Sequence, residues 1–325
     1  MSRRYFRSDK KIKIYFVCPS LIRIFAPMKL SVLIPCYCYD PCPLVRALCR
    51  MLPEDAEIVV GDDCTPGGEA EPYLKDLAQW ERVRVVRQEE NRGAAAMRNR
   101  LAREAEGEYL LYLDSDALPL HSNFLAEYMK LLPTDEVVCG SICHAVTLPD
   151  ASVTLRWTYE KQAEKRFTAS ARNKRPYQNF RTFNFLIRRE TMLGCPFDET
   201  VRLSGYEDTL AGKAFRARGI RIRHIENPLL NMGLEDNETY LRKTERQLHT
   251  LYEKRRELGN YSSLLRAYRW AERLGLAGCL RFIHRRVGEA ERRNLLSKKP
   301  RIWVFQLYKL GYYATINSNK LNFRK

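Results

Sequence analysis

The sequence predicts an α/β fold: a mainly parallel central sheet flanked by helices, followed by a basic helical extension. Three observations carry that reading. Short β-rich runs alternate with helical stretches from Leu30 to Cys143, and strands separated by helices imply right-handed crossovers between parallel neighbours. The runs are mostly continuous in apolar character, as strands covered on both faces require. From Glu238 onward the pattern turns helical and strongly basic.

In chain order, Leu30–Cys36 is the first apolar, branched strand, and Pro41–Met51 follows with helical spacing. Glu57–Val60 is a second strand, with a helix near Glu69–Gln79. Val83–Arg87 is a third, followed by a helix over Ala94–Glu106 rich in Ala, Arg and Glu. Tyr109–Leu113 is a fourth, then a helix over Ser122–Leu132 with Ser122 as its cap. Val137–Cys143 is a fifth. The rhythm then loosens over the polar, aromatic stretch Thr147–Arg181, before a strand at Phe183–Ile187, a helix at Glu207–Arg218 and a last strand at Ile220–Ile225. Three regions follow: an extension over 1–27, a catalytic domain over 28–235, and a basic helical region over 236–325. Either residues 1–27 are a loose extension or the true start is Met28.

Charge separates the function classes. The chain of 325 residues carries +17. Residues 251–325 hold 18 Lys and Arg against 5 Asp and Glu, giving +13, and residues 1–27 hold 7 against Asp9, giving +6. That leaves −2 for residues 28–250. A nucleic-acid enzyme places its cations around the cleft, because phosphate neutralisation supplies much of its affinity. A near-neutral middle fits a small ligand instead, and no nucleic-acid partner is expected. The ten cysteines show no zinc-ribbon spacing, which points to buried reduced thiols. The apolar run Ile12–Ala26 is broken by Pro19 and Arg23 and is too short to span a bilayer. A cytoplasmic protein is expected.

In open α/β sheets, ligands gather beyond the carboxyl ends of the strands. Two acid pairs fall there: Asp62 and Asp63 close the second strand, and Asp114 and Asp116 close the fourth in Asp-Ser-Asp. Carboxylates at i and i+2 in a turn suit a hard cation, Mn²⁺ or Mg²⁺, which would neutralise a diphosphate leaving group. The plainer reading makes Asp116 a helix cap. Asn91-Arg-Gly opens the next helix, whose free N–H groups suit an anion, with Arg92 and Arg98 adding charge; otherwise this is a solvated Arg-rich helix. Glu207 and Asp208 open another helix in Gly205-Tyr-Glu-Asp-Thr. They either favour its dipole or supply a general base, Asp208, with Glu207 as its positioning neighbour.

Taken together, Ser31-Val-Leu-Ile-Pro-Cys-Tyr, Gly61-Asp-Asp, Asn91-Arg-Gly, Asp114-Ser-Asp, Asn184-Phe-Leu-Ile-Arg-Arg-Glu, Phe197-Asp-Glu and Gly205-Tyr-Glu-Asp-Thr resemble, in order and interval, the family 2 glycosyltransferases. The resemblance covers about residues 28–235 and implies a GT-A fold, a nucleotide-sugar donor and inversion at the anomeric carbon. It places Pro35, Tyr37 and Asp63 in the nucleoside pocket, with Asp63 accepting from a base that is usually uracil. Asp114 would face the ribose or sugar, Asp116 would ligate the metal, and Asp208 would deprotonate the acceptor hydroxyl. Many relatives carry a His just past the last strand; Asn231 stands in that neighbourhood here. A catalytically inactive nucleotide-sugar-binding scaffold is the competing reading, and it would need damage to these acids. A sugar-1-phosphate nucleotidyltransferase would show a Gly-rich loop where Pro35-Cys-Tyr-Cys-Tyr stands.

The basic stretch beyond Arg281, including Arg301-Ile-Trp-Val-Phe-Gln-Leu-Tyr-Lys, either meets anionic lipid in the interface or packs on the catalytic domain with a solvated basic face. In the first case a lipid-linked oligosaccharide acceptor is expected, with the enzyme peripheral on the inner face of the membrane; the acceptor class is otherwise a saccharide or a lipid-linked saccharide.

Overall fold

The computed structural model describes residues 29–201 and 205–322, with the side chains of 319–322 excepted. The extension predicted over 1–27 lies outside the described residues. Eight strands form one sheet: β1 (Leu30–Cys36), β2 (Ala56–Asp62), β3 (Val83–Arg87), β4 (Tyr109–Leu113), β5 (Ala117–Pro119), β6 (Val137–Cys143), β7 (Asn184–Arg188) and β8 (Ile222–Asn231). Their order is β3-β2-β1-β4-β7-β6-β8-β5. Helices α1 (Cys42–Cys49), α2 (Glu71–Leu77) and α3 (Ala94–Glu104) supply the crossovers of the parallel half. The strand order reverses between β1 and β4, so their carboxyl ends open a crevice.

The sheet is mixed where the sequence predicts mainly parallel pairing. β7 runs antiparallel to both β4 and β6, and β5 antiparallel to β8. Apolar runs report burial, not direction, so β7 reads in the sequence like the parallel strands β1 to β4. Strand β8 also runs six residues beyond the predicted Ile225, because its far end pairs with β5. After β5 the helix α4 (Phe124–Met129) is shorter than predicted, and Asn123, not Ser122, holds its cap position, without a side-chain bond.

Alternating strand residues divide the core between the two faces of the sheet. Val32, Ile34, Ile58, Val60 and Leu111 pack against Leu44 and Leu48 of α1. Leu33, Val59, Leu110 and Tyr112 pack against Met97 and Leu101 of α3 and against the rings of Phe180, Phe185 and Phe215. Tyr112 stacks on Phe185 at 4.7 Å between centroids.

The loosened stretch contains α5 (Thr154–Glu164) and α6 (Ala169–Asn173), and α7 (Arg189–Gly194) and α8 (Glu207–Ala217) follow β7. The remaining helices are α9 (Asn237–Glu253), α10 (Arg255–Leu258), α11 (Ser263–Arg273), α12 (Ala277–Leu295) and α13 (Ile302–Asn322). Leu248, Leu251, Leu258, Leu265, Tyr268 and Tyr313 form their own core. A second cluster, Leu155, Leu241, Leu295, Val304 and Phe305, ties them to α5. Among the described residues, no helix is long and apolar enough to cross a membrane.

Candidate active site

The second strand ends on two acids that face different ways. Asp62 points inward and is fully buried: it accepts from Thr65 Oγ1 at 2.6 Å and Tyr73 OH at 3.0 Å, and it meets Arg87 at 3.1 Å. Asp63 points to the next crossover. Its oxygens accept from the backbone N–H of Arg92 at 3.0 Å and of Gly93 at 2.8 Å, and from the Gln88 amide. Burial pushes the Asp63 pKa up against the pull of those donors. Gly93, at φ 88°, is the residue before α3 and adopts a conformation other residues resist. Asp62 thus braces the turn at Thr65, and Asp63 fixes the Asn91–Gly93 loop beside the crevice. Tyr37 is exposed just past β1, and Pro35 is half-buried in it.

Helix α3 is not a solvated Arg-rich helix. Arg98 is 4% exposed, and one guanidinium nitrogen lies 2.9 Å from Asp114 Oδ1 while the other lies 3.6 Å from Glu207 Oε1. Burial works against its charge, yet Asp114 and Glu207 hold its pKa above the ordinary value. Two of its nitrogens, Nε and Nη1, have no hydrogen-bond partner among the described residues. One buried cation therefore joins the end of β4 to the start of α8, 93 residues apart in the chain.

Asp116 is not a helix cap. The residues after it form β5, and its carbonyl accepts from the backbone N–H of Met232 at 2.7 Å. Burial, reinforced by neighbouring Asp114, pushes the Asp116 carboxyl up to about 6. Gly233 packs flat on this carboxylate, leaving no room for a Cβ. Asn231 is spent within the protein: its amide donates to Glu160 at 3.3 Å and its oxygen accepts from the Gly233 N–H at 3.0 Å. Among the described residues no three acidic, His or Cys side chains converge as a complete metal cage. The donor set still fits a hard cation: two oxygen-only carboxylates, Asp114 and Asp116, whose mutual repulsion a cation would relieve, with phosphate oxygens and water left to finish the coordination.

Asp208 and Glu207 open α8. Asp208 Oδ1 accepts from the Thr209 N–H at 2.6 Å, while Oδ2 faces half-exposed Arg181 at 3.3 Å. Burial, then Asp208, pushes the Glu207 pKa up. Tyr206 precedes them in the left-handed region, at φ 71°, a strained conformation for a bulky residue that aims the first turn of the helix.

Both acids line a cavity of about 810 Å³ whose opposite wall comes from α9, α11 and α13. Tyr159, Tyr240, Lys243 and Lys309 stand around it. Lys243 also acts electrostatically on Asp116, as does Arg156, so Asp116 and the cavity share one neighbourhood. Sequence reading missed Lys243, Arg156 and Glu160; each is brought to the site by a residue remote in the chain, Arg156 by Glu235, Glu160 by Asn231 and Lys243 by its electrostatic effect on Asp116.

Comparisons with known proteins bear on the family and the fold. The model described as "Glycosyl transferase family 2" matches residues 31–195, half of the chain. "Putative teichuronic acid biosynthesis glycosyltransferase TuaG" of Bacillus subtilis (strain 168) is 40% identical over 60 residues, 18% of this chain and 24% of that protein. An "Uncharacterized glycosyltransferase" of Haemophilus influenzae is 33% identical over 89 residues, 27% of this chain and 29% of that one. The matches thus span about a quarter of each curated relative. Among solved structures, "Mannosyltransferase PcManGT from Pyrobaculum calidifontis in complex with GDP-Man and Mn2+" shares the fold, with TM-score 0.55, 17% identity, and coverage of 91% of this chain and 88% of that one. With a family match over half its length and a GT-A-type fold, this chain belongs to glycosyl transferase family 2.

Proposed function

We propose that this glycosyltransferase moves a sugar from a nucleotide donor, UDP-linked, onto an acceptor hydroxyl with inversion, in the synthesis of a cell-surface polysaccharide or glycolipid. The observation that supports it best is the Arg98 bridge, which sets the donor-side acid Asp114 beside Glu207 and hence beside Asp208. In this reading Pro35, Tyr37 and Asp63 surround the nucleoside, Asp62 holds the turn behind them, and Asn91 and Arg98 border the donor. Asp116, with Asp114 beside it, would hold Mn²⁺ or Mg²⁺; when bound, the cation neutralises the diphosphate. The mannosyltransferase that shares the fold was solved with Mn²⁺.

Asp208 is the general base. Arg181 and the Thr209 N–H orient its carboxylate, and Glu207, neighbour to both Arg98 and Asp208, positions the first turn. The acceptor O–H proton passes to Asp208 as its oxygen bonds to the anomeric carbon, and the bond from that carbon to the diphosphate breaks with the electron pair leaving on the nucleotide. A positioned base of this kind contributes roughly 10²–10⁴-fold. The acceptor, a saccharide or lipid-linked saccharide, occupies the cavity between α8 and the C-terminal helices. The same reading places the protein in the cytoplasm, peripheral on the inner face of the membrane.

The test is a panel of nucleotide sugars with release of nucleotide as the readout. Turnover of a UDP-sugar, dependent on divalent cation and lost in Asp208→Asn while UDP affinity holds, is the expected outcome. Equal turnover by the variant removes Asp208 from the role.

A further inference from the structure

The C-terminal helices do not all present the same surface. On α13, Val304, Phe305, Tyr308 and Tyr313 are buried, while Trp303 and Leu307 on its other side stay exposed. Helix α12 differs: its inward side is formed by Leu280, His284, Gly288, Glu291 and Leu295, and only Leu295 is fully buried. On its outward side Cys279, Ile283, Val287 and Ala290 recur at spacings of four, four and three, which places them on one stripe. Arg286 and Arg293, seven residues apart, border that stripe, and Phe282 lies under the Arg286 guanidinium at 5.4 Å. The turn leading into α12 adds Leu274 and Leu276, and α11 adds Trp270, 63% exposed.

Among the described residues, Arg281, Arg285, Arg286 and Arg293 make no ion pair, whereas Arg292 on the inner side pairs with Glu238 and Glu245. Glu289 is the exposed acid of this helix, and Glu291 is held by His284 at 2.9 Å. Uncompensated cations beside an exposed apolar stripe fit a surface that offers both negative charge and hydrocarbon.

We propose that the outer face of α12, with the α11–α12 turn, docks on an anionic lipid bilayer, Ile283 and Val287 entering the interface while Arg286 and Arg293 meet the headgroups. This deepens the membrane part of the functional reading and stands apart from the catalytic part. The experiment is flotation of the whole chain with vesicles of phosphatidylcholine containing phosphatidylglycerol, against phosphatidylcholine alone. Ile283→Glu with Val287→Glu, and separately Arg286→Glu with Arg293→Glu, alter only exposed positions. Hydrolysis of a nucleotide sugar in solution, unchanged in both, reports that the fold survives.

The expected result is binding to anionic vesicles only, lowered about tenfold or more by either pair and by high salt. Three results overturn the proposal: no binding to anionic vesicles at low salt, equal binding to neutral ones, or full binding by both pairs. So does a concentration-dependent dimer that the Ile283 and Val287 substitutions abolish while vesicle binding stays absent.

Discussion

Arg98 shows how one side chain fixes the site. Removing it leaves Asp114 and Glu207 facing each other without the cation between them, and breaking a buried pair in this way costs about 3–5 kcal/mol. Arg98→Met should lower stability in denaturant unfolding by about that amount. Gly233→Ala tests a different atom. The added methyl group must displace the Asp116 carboxylate, so divalent-cation-dependent turnover should fall while the unfolding midpoint moves little. His224 gives the pH dependence. Burial first, and then Arg172, push its pKa down to about 4 from 6.5. The unfolded chain therefore binds a proton between those values that the folded chain refuses, so stability falls as pH drops through that window. Asp116, with its raised pKa, contributes in the opposite sense over the same window, so the readout is a difference: the melting temperature of His224→Gln relative to the native chain should rise progressively from pH 7 to pH 4.5.

At the scale of elements, the legible parts are those where one local property decides the structure. Leu30–Cys36 and Tyr109–Leu113 are strands because they are almost wholly apolar and buried on both faces, and the acids that follow the second of them stand out against that background. Helix α3 shows the opposite case. Arg98 and Asn99 look solvated in the sequence, and only the packing of α8 and Phe197 over them makes them interior. Asp116 reads equally well as a helix cap until β8 pairs with the residues after it. Lys243 and Arg156 carry no local signal, since their meaning lies in contacts with residues far along the chain. Gly61 tests the packing of α3 on β2. A Cβ there meets Met97 and Leu101, so Gly61→Ala should cost about 1–3 kcal/mol by overpacking, read as a lower unfolding midpoint.

Across the whole molecule, the family motifs occupy the sheet and its crevice, while the opposite wall of the cavity comes from helices beyond the matched segment. In the proposed mechanism that division separates a donor site on the sheet from an acceptor site against the C-terminal helices. Lys243 stands where the two meet. Lys243→Met should weaken UDP binding about tenfold by titration calorimetry, the loss of one charge-assisted contact of about 1.4 kcal/mol. The proposed mechanism requires Asp208 to lie across the anomeric carbon from the diphosphate, with Asp116 on the diphosphate side. A crystal structure with an unhydrolysable UDP-sugar analogue and Mn²⁺ measures this directly. The expected result puts the Asp208 carboxylate within about 6 Å of the anomeric carbon, room for one hydroxyl between them. A nucleotide bound elsewhere, or Asp208 turned away from the sugar on the Arg181 side, would contradict it.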